Sequence, residues 1–128
     1  MIFHSNIEKG RFGEKTALKY LKKKGYKKVA KNYRTKHSEI DLIVKNKTHL
    51  VFVEVKTRDI NSDFEKFGRP ARAVNEIKRR HILNAVSQYL RDYENILLVR
   101  VDIVEVYLDR DNPKNSRIEH IENAFGAK

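Results

Sequence analysis

The sequence contains no cysteine, which excludes disulfide bonds, zinc–thiolate sites and cysteine nucleophiles. This composition is compatible with a reducing cytoplasm, where we expect the protein to act. Its longest apolar runs, residues 50–53 and 96–99, are far shorter than the roughly 20 residues that cross a bilayer. The first residues show no charged segment followed by an apolar one, and the five histidines show no metal-ligand spacing. We therefore expect no signal peptide, no membrane partner and no histidine metal site.

Positive charge is what the sequence has in excess: 28 lysines and arginines against 17 acids give a net charge of +11 over 128 residues. Such a charge favours a polyanionic partner, above all nucleic acid. Two alternatives stay open. One is membrane-surface binding, which normally needs a basic amphipathic helix that stands clear of the core, and the sequence shows no such helix. The second is a lysine-rich composition typical of the source organism. With 40% apolar residues, a chain of this length predicts a single domain, residues 1–128.

The hydrophobic pattern predicts helices at residues 7–24 and 71–93, and strands at residues 26–33, 39–45, 49–57, 96–108 and 118–121. Ser5 and Glu8 form a capping-box signature at the start of the first helix, and Gly25 is placed to end that helix. Residues 58–70 lack periodicity and predict a loop after the third strand. The order α-β-β-β-α-β with a terminal hairpin predicts an α/β fold whose mixed sheet is flanked by helices.

Two neighbouring strands carry the most informative residues, Glu-Ile-Asp at 39–41 and Glu-Val-Lys at 54–56. Side chains alternate faces along a strand, so Glu54 and Lys56 share one face. The polar turn between the strands is short enough to close an antiparallel hairpin. Any register that pairs odd positions of the first strand with even positions of the second places Asp41 on the face of Glu54. The two carboxylates would then be about 5 Å apart, or one diagonal step of ~7–8 Å.

Two carboxylates at about 5 Å repel each other by roughly 3 kcal/mol at an effective dielectric constant near 20. A divalent cation between them reverses the sign, and carboxylates together with water are the usual ligands of Mg²⁺ and Mn²⁺. Lys56 would then orient an attacking water or stabilise the charge that builds during phosphodiester cleavage. The alternative is a solvated hairpin face with ordinary charges. The same spelling occurs in Glu76-Ile77-Lys78, on a helix, where we expect a surface ion pair.

With that order of elements, the chain resembles the PD-(D/E)xK nuclease superfamily, whose restriction-endonuclease-like core runs α-β-β-β-α-β. More closely, it is similar, almost end to end, to the YraN family of small bacterial proteins. The stretches that carry this resemblance are Gly10-Arg11-Phe12-Gly13-Glu14, Ala17, Tyr20-Leu21, Gly25-Tyr26, Glu39-Ile40-Asp41-Leu42-Ile43, Val51-Phe52-Val53-Glu54-Val55-Lys56-Thr57-Arg58, Phe67-Gly68, Lys78, Arg100-Val101-Asp102 and Ile118-x-His120-Ile121-x-Asn123-Ala124-Phe125.

The resemblance implies a role for five residues in a nuclease site. Asp41 matches the first metal-binding acid of the superfamily, Glu54 the second and Lys56 the catalytic lysine. The main-chain carbonyl of Val55 is an expected metal ligand, and Glu14 matches a first-helix acid that joins the metal site in resolvase-like members. The implied cofactor is Mg²⁺ or Mn²⁺. From the residues alone, Glu14 is also explained as a first-turn acid favoured by the helix dipole.

Two departures from the family pattern leave this chemistry intact. Ser38 stands where glycine is common before Glu-Ile-Asp, and Val101 stands where an aromatic residue is usual. Similarity to Holliday-junction resolvases implies branched or recombination DNA as a substrate and a homodimer as the assembly.

Basic residues supply the candidate contacts to nucleic acid. Arg58, Arg69 and Arg72 bracket the predicted loop, Lys78 matches the family pattern, and Lys22, Lys23 and Lys24 belong to the densest basic run, which is otherwise a solvated helix end. Aromatic residues are not interleaved with that run, so we expect recognition of backbone and shape rather than base stacking. Two hypotheses follow: a Mg²⁺- or Mn²⁺-dependent endonuclease, with DNA favoured, or a non-catalytic nucleic-acid-binding module associated with RNA or the ribosome.

Overall fold

A computed structural model describes residues 6–60 and 76–125 of the protein. In chain order the elements are helix α1 (Asn6–Lys23), strands β1 (Lys27–Arg34), β2 (Glu39–Lys45) and β3 (His49–Asp59), helix α2 (Glu76–Asp92), strand β4 (Leu98–Leu108), a 3₁₀ turn (Pro113–Asn115) and strand β5 (Arg117–Ile121). The predicted order of helices and strands, with its terminal hairpin, is confirmed.

The five strands form one mixed sheet in the order β1-β2-β3-β4-β5. Every neighbouring pair is antiparallel except β3 and β4, which run parallel. Parallel neighbours need a long crossover connection, usually with a helix, and α2 lies in the connection between these two strands. The sheet is therefore flanked by helices, as the sequence predicts.

A separate hydrophobic cluster covers each face of the sheet. The first packs α1 residues Ala17 and Leu21 against Val51 and Val53 of β3. The second packs α2 against the other side of the same strand, where Phe52 is fully buried. This division follows from the alternation of β3 side chains between the two faces. Consequently Glu54, which shares the parity of Phe52, belongs to the α2 face.

Helix α1 lies close to β3 because Gly13 has no side chain. A Cβ atom built on Gly13 would overlap the Thr57 side chain, whereas one on Gly10 would meet no atom within 4 Å. The helix ends where predicted, in a Schellman motif around Gly25, whose φ is +98°. The N–H of Gly25 donates to Lys22 O at 3.0 Å, and the N–H of Tyr26 donates to Leu21 O at 3.1 Å.

Two predicted boundaries were wrong by two residues. Strand β3 continues through Asp59 rather than ending at residue 57, because its pairing with β4 extends to Leu108. Strand β4 begins at Leu98 rather than residue 96. The rest of the predicted loop, residues 61–70, and the first residues of the predicted second helix lie outside the described residues, as does Ser5. In the part of the chain that is described, neither helix is long and apolar enough to cross a membrane.

Candidate active site

Asp41 and Glu54 meet where the ladder between β2 and β3 ends. The register pairs Leu42 with Val53 and Ile43 with Phe52, so odd positions of β2 face even positions of β3, as predicted. The next step of this register sets Asp41 opposite Glu54. There the Asp41 side chain takes the place of a ladder carbonyl, because its Oδ2 accepts the N–H of Val55 at 2.8 Å. The hairpin thus fixes both carboxylates at one edge of the paired region.

The Glu54 carboxylate is buried and incompletely satisfied. Only 6% of Glu54 is exposed. Its Oε2 lies 3.5 Å from Lys78 Nζ, yet it accepts no hydrogen bond within the described part of the chain. At that separation the lysine supplies charge attraction without filling the lone pairs of the oxygen. A buried carboxylate oxygen in this state retains the capacity to accept a further donor or a cation.

The proximity of the two acids alters the protonation of Asp41. Burial is the largest cause that raises the pKa of Asp41, and a hydrogen bond and like charge from Glu54 add to it. The hydrogen bond from Val55 N–H and the charge of Lys78 oppose the change, but the pKa still rises to about 8. The chain alone therefore does not balance two negative charges at this position.

Lys56 lies two residues after Glu54 on the same face of β3, and Arg58 follows at the same spacing. Burial lowers the pKa of Lys56, and the positive charges of Lys78 and Arg58 act in the same direction, while Glu54 opposes them. A partly buried ammonium beside the carboxylate pair can hold a water or a phosphate oxygen in place. This strand therefore positions an acid, an amine and a guanidinium along one line.

Glu14 reaches the same region from α1. Burial, followed by the charges of Asp41 and Glu39, raises the pKa of Glu14, and Lys31 and Arg11 oppose that rise. Asn32 connects these acids: with its amide nitrogen turned toward them, it donates to Glu14 Oε1 at 3.2 Å and to Glu39 Oε1 at 3.0 Å. Asn32 has a φ of 52°, a left-handed conformation that asparagine tolerates better than most residues.

The sequence analysis did not identify Asn32 as part of the site. It named Lys78 as a candidate contact but did not predict that Lys78 lies beside Glu54. Asparagine within a predicted strand is a weak signal for a left-handed residue, and it was the one signal available. Glu76 and Lys78, expected to form a surface ion pair, do not pair with each other: Arg79 Nη1 lies 3.4 Å from Glu76, and Lys78 pairs with Glu54. The second Glu-x-Lys string thus contributes its lysine to the first.

Not every predicted contact residue lies near this site. Lys22, Lys23 and Lys24 are exposed at the far end of α1, and Lys24 Nζ donates to Tyr20 Oη at 3.3 Å. Helix α1 runs antiparallel to β3, with Lys9 bonded to Asp59 near its start, so its last turn points away from Glu54. Arg69 and Arg72 lie outside the described residues.

A second buried carboxylate belongs to Asp102 on β4. The sequence analysis names Asp102 in the family resemblance but predicts no role for it. It is fully buried on the α1 face. Arg100 Nε donates to its Oδ1 at 2.8 Å, the N–H of Asn123 donates to the same oxygen at 3.0 Å, and His120 Nε2 lies 2.7 Å from Oδ2. Tyr20 Oη in turn lies 3.1 Å from His120 Nδ1. Asp102 is therefore the centre of a complete hydrogen-bond network.

The oxygen ligands available around Asp41 suit a hard divalent cation. Across residues 6–60 and 76–125, no three His, Cys, Asp or Glu side chains form a group that could hold a metal ion. Mg²⁺, however, is usually held by one or two carboxylates plus water and substrate phosphate oxygens. Asp41 and Glu54 provide that pair. The carbonyl of Val55 faces the same gap as its N–H, because both groups of a strand residue point toward one neighbouring strand.

The arrangement defines a mixed α/β protein whose order of elements is consistent with a restriction-endonuclease-like core. The family model described as Uncharacterised protein family UPF0102 matches residues 13–106, and the chain belongs to this family, which is also called YraN. The predicted family is confirmed.

Curated relatives match over nearly their whole length. A UPF0102 protein of Clostridioides difficile is 45% identical over 122 residues, which cover 94% of this chain and 99% of that protein. One from Caldanaerobacter subterraneus is 42% identical and covers 91% of this chain and 93% of its own. One from Flavobacterium psychrophilum is 39% identical and covers 98% of both chains.

Proposed function

We propose that this protein is a Mg²⁺- or Mn²⁺-dependent phosphodiesterase that hydrolyses DNA, with branched and recombination intermediates as its first candidate substrates. One observation carries the proposal. A buried, incompletely satisfied Glu54 lies opposite Asp41, and Lys56 follows on the same face. Two buried carboxylates held together are costly in a fold unless their charge is offset. Their retention is explained if a cation joins them during function.

In this proposal each residue has a separate task. Asp41, Glu54 and the Val55 carbonyl would hold the cation, which supplies Lewis-acid chemistry at the scissile phosphate when bound. Lys56 orients the attacking water and stabilises the negative charge that builds on the phosphate oxygens. Lys78 lies 3.5 Å from Glu54 and offsets part of the negative charge of the acid pair. Glu14 supports the ligand set from α1, where the charge of Asp41 acts on it.

A second candidate is a non-catalytic nucleic-acid-binding module, either DNA- or RNA-associated. The net charge of +11 favours it, because electrostatic attraction to polyanions does not depend on the acid pair. Such a module would bind with strong salt dependence and would ignore both divalent metal and changes at Asp41 or Glu54. The two candidates therefore differ in their response to metal rather than in their affinity for nucleic acid.

The deciding experiment is cleavage of linear, nicked and four-way DNA with Mg²⁺, Mn²⁺ or EDTA. We expect Asp41→Asn, Glu54→Gln and Lys56→Ala each to lower the rate by about 10³-fold or more, the equivalent of several kcal/mol of lost transition-state stabilisation. Glu76→Gln is the matched control, because it changes the acid of the second Glu-x-Lys string, which is exposed and bonded to Arg79. Its rate should stay within about twofold of the wild type.

Cleavage that survives both Asp41→Asn and Glu54→Gln would refute the proposed site. Metal-independent binding without cleavage of any of the three substrates would favour the binding module instead. Sedimentation equilibrium of the same samples tests the homodimer, which is proposed only by analogy with resolvases.

A further inference from the structure

A basic groove lies between α1 and β1, and Glu14 is part of its lining. Its volume is about 670 Å³. Four cations line it, two from each element: Arg11, Lys15, Lys28 and Lys31. Glu14 is the one acid among its described lining residues. We call this surface the α1 groove.

The four cations of the α1 groove have no direct carboxylate partner in the described structure. Within residues 6–60 and 76–125, none of them lies within 4.0 Å of a carboxylate oxygen. Cations elsewhere do have such partners: Lys9 pairs with Asp59 at 3.0 Å, for example. Four exposed charges of one sign around a concavity repel one another, and a polyanion relieves that repulsion.

Glu14 connects the α1 groove to the proposed metal site. Glu14 lines the groove and also interacts with Asp41, while Lys31 and Arg11 are close enough to Glu14 to oppose the rise in its pKa. Leu42, the neighbour of Asp41 on β2, forms part of the groove wall. A chain of phosphates lying in the groove would therefore run past Glu14, on which the charge of Asp41 acts.

The chemistry of the lining suits phosphates rather than bases. Among the described residues that line the groove, none is aromatic, so no surface is present on which a base could stack. Its one amide, Asn32, is engaged by Glu14 and Glu39. Lysine and arginine contact phosphate oxygens without reading sequence. Binding should therefore be independent of sequence and strongly dependent on salt.

We infer that the α1 groove binds the sugar–phosphate backbone of a nucleic-acid strand and leads it to Asp41 and Glu54. Binding itself follows from the groove alone, and only the destination of the strand rests on the proposed function. A second basic groove, of about 390 Å³ and with Lys36, Arg80 and Arg91 in its lining, lies between α2 and the β1–β2 turn. Its described lining contains none of the site acids, so it is the comparison surface for the test.

The test is a fluorescence-anisotropy titration of labelled single-stranded and duplex DNA in EDTA, where metal-dependent cleavage stops. Lys15→Gln/Lys31→Gln removes two charges from the α1 groove. Lys22→Gln/Lys23→Gln is the matched control, because it removes the same charge from exposed positions of the same helix. We expect the groove variant to bind roughly 10–50-fold more weakly near 0.1 M salt, and the control within about threefold of the wild type.

The salt dependence of binding reports how many phosphate contacts the groove variant has lost on each form of DNA. Loss of two phosphate contacts should make the negative slope of log K against log salt shallower, by about 1.4 for a single strand or about 1.8 for a duplex. An unchanged slope in the groove variant, or an equal loss in the Lys22→Gln/Lys23→Gln control, would overturn the inference. So would a loss confined to Arg80→Gln/Arg91→Gln, which would place the backbone in the second groove.

Since the chain has no cysteine, a single introduced thiol reports position directly. Lys28→Cys and Lys22→Cys, each labelled with an azidophenacyl photocrosslinker, differ in that only the first lies in the groove. We expect crosslinking to DNA from position 28 to exceed that from position 22 severalfold in EDTA, and equal yields would contradict the inference. Because EDTA removes catalysis, failure here leaves the cleavage test at Asp41 unaffected, and failure of that test leaves this one unaffected.

Discussion

Asp102 and Glu54 lie on neighbouring strands of one sheet, yet their carboxylates point to opposite faces and meet opposite surroundings. Asp102 receives hydrogen bonds from Arg100, the Asn123 N–H and His120 at 2.7–3.0 Å. Glu54 has one cation at 3.5 Å, a second acid opposite it and an oxygen that accepts no hydrogen bond from the described residues. One buried charge is fully satisfied by the chain, and the other is not.

The protonation behaviour of the two aspartates follows this difference. Burial acts to raise the pKa of Asp102, but hydrogen bonds from His120 and Arg100 outweigh burial, and the pKa is lowered. Asp41, beside Glu54, has its pKa raised to about 8, chiefly by burial and then by its neighbour. A carboxylate whose charge the fold stabilises contributes to folding. A carboxylate whose charge the fold destabilises is a candidate for function, because a ligand can supply what the chain does not.

Removing the satisfied carboxylate should have the largest effect on stability. Asp102→Ala leaves the Arg100 and His120 side chains, 13% and 5% exposed, without their partner. We expect a loss of about 3–5 kcal/mol in the free energy of unfolding, measured by urea denaturation followed by circular dichroism. Glu122→Gln is the control, because Glu122 is 53% exposed and 3.9 Å from Arg100. A control loss as large as that of Asp102→Ala would show that the network is not what stabilises this face.

Two glycines of α1 separate packing on β3 from helix propensity. Gly13→Ala forces a Cβ into the Thr57 side chain, so we expect about 1–3 kcal/mol of destabilisation and displacement of the adjacent Glu14. Gly10→Ala meets no atom within 4 Å and should stabilise the protein by about 0.5–1 kcal/mol. Thermal denaturation of both variants checks the pair. Equal changes of the same sign would mean that the close approach of α1 does not constrain the site.

Manganese should stabilise the folded protein by binding at Asp41 and Glu54 and not at the Asp102 network. At ten times its dissociation constant, Mn²⁺ bound only by the folded state adds about 1.4 kcal/mol to the free energy of unfolding. This corresponds to a rise of about 3–6 °C in Tm for a domain of this size. Differential scanning fluorimetry should show this rise in the wild type and in Glu76→Gln. The rise should be absent from Glu54→Gln. A rise that persists in Glu54→Gln would place the metal elsewhere.

The sequence was informative where structure depends on local pattern. The apolar pattern predicted the bounds of β2. Alternation along β3 and a short polar turn predicted that Asp41 and Glu54 could share a face, directly opposite or one diagonal step apart, and the observed register sets them opposite. One feature of β3 and one of β4 did not follow from local pattern. The last two residues of β3, Arg58 and Asp59, are held by pairing with β4, which lies about fifty residues later in the chain. The Asp102 network joins that residue to His120 and Asn123, which lie 18 and 21 positions later in the chain, farther than a short motif extends.

Charge density along the chain was a poor guide to charge density in space. Lys22, Lys23 and Lys24 are consecutive, but the direction of α1 takes them away from Glu54. The cations of the α1 groove come from two elements and are not consecutive in either. Lys78 likewise reaches Glu54 only because α2 packs on that face of the sheet. Such positions depend on long-range packing, which a periodicity argument does not include.

The last prediction is the most direct test of the difference between Asp41 and Asp102, because it depends only on the sign of the change in stability with pH. Asp41 has a pKa of about 8 in the folded protein and ~3.9 when unfolded, so the folded state binds more protons between these values. The wild type in EDTA should therefore lose stability as pH rises from 5 to 8. Asp41→Asn removes this loss and keeps an oxygen for the Val55 N–H, so it should be more stable than the wild type at pH 8.

Asp102→Asn should behave in the opposite way. Because the folded pKa of Asp102 is lowered, its charge contributes stability at every pH above its unfolded value of ~3.9, and that contribution disappears on acidification. The variant should therefore be less stable than the wild type from pH 5 to 8, and the deficit should shrink as the pH falls below about 4. Urea midpoints of the wild type and both asparagine variants, measured in EDTA, give the two signs in one experiment. Destabilisation by Asp41→Asn at pH 8 would mean that the fold satisfies that charge as well, and the reason for expecting a cation there would be lost.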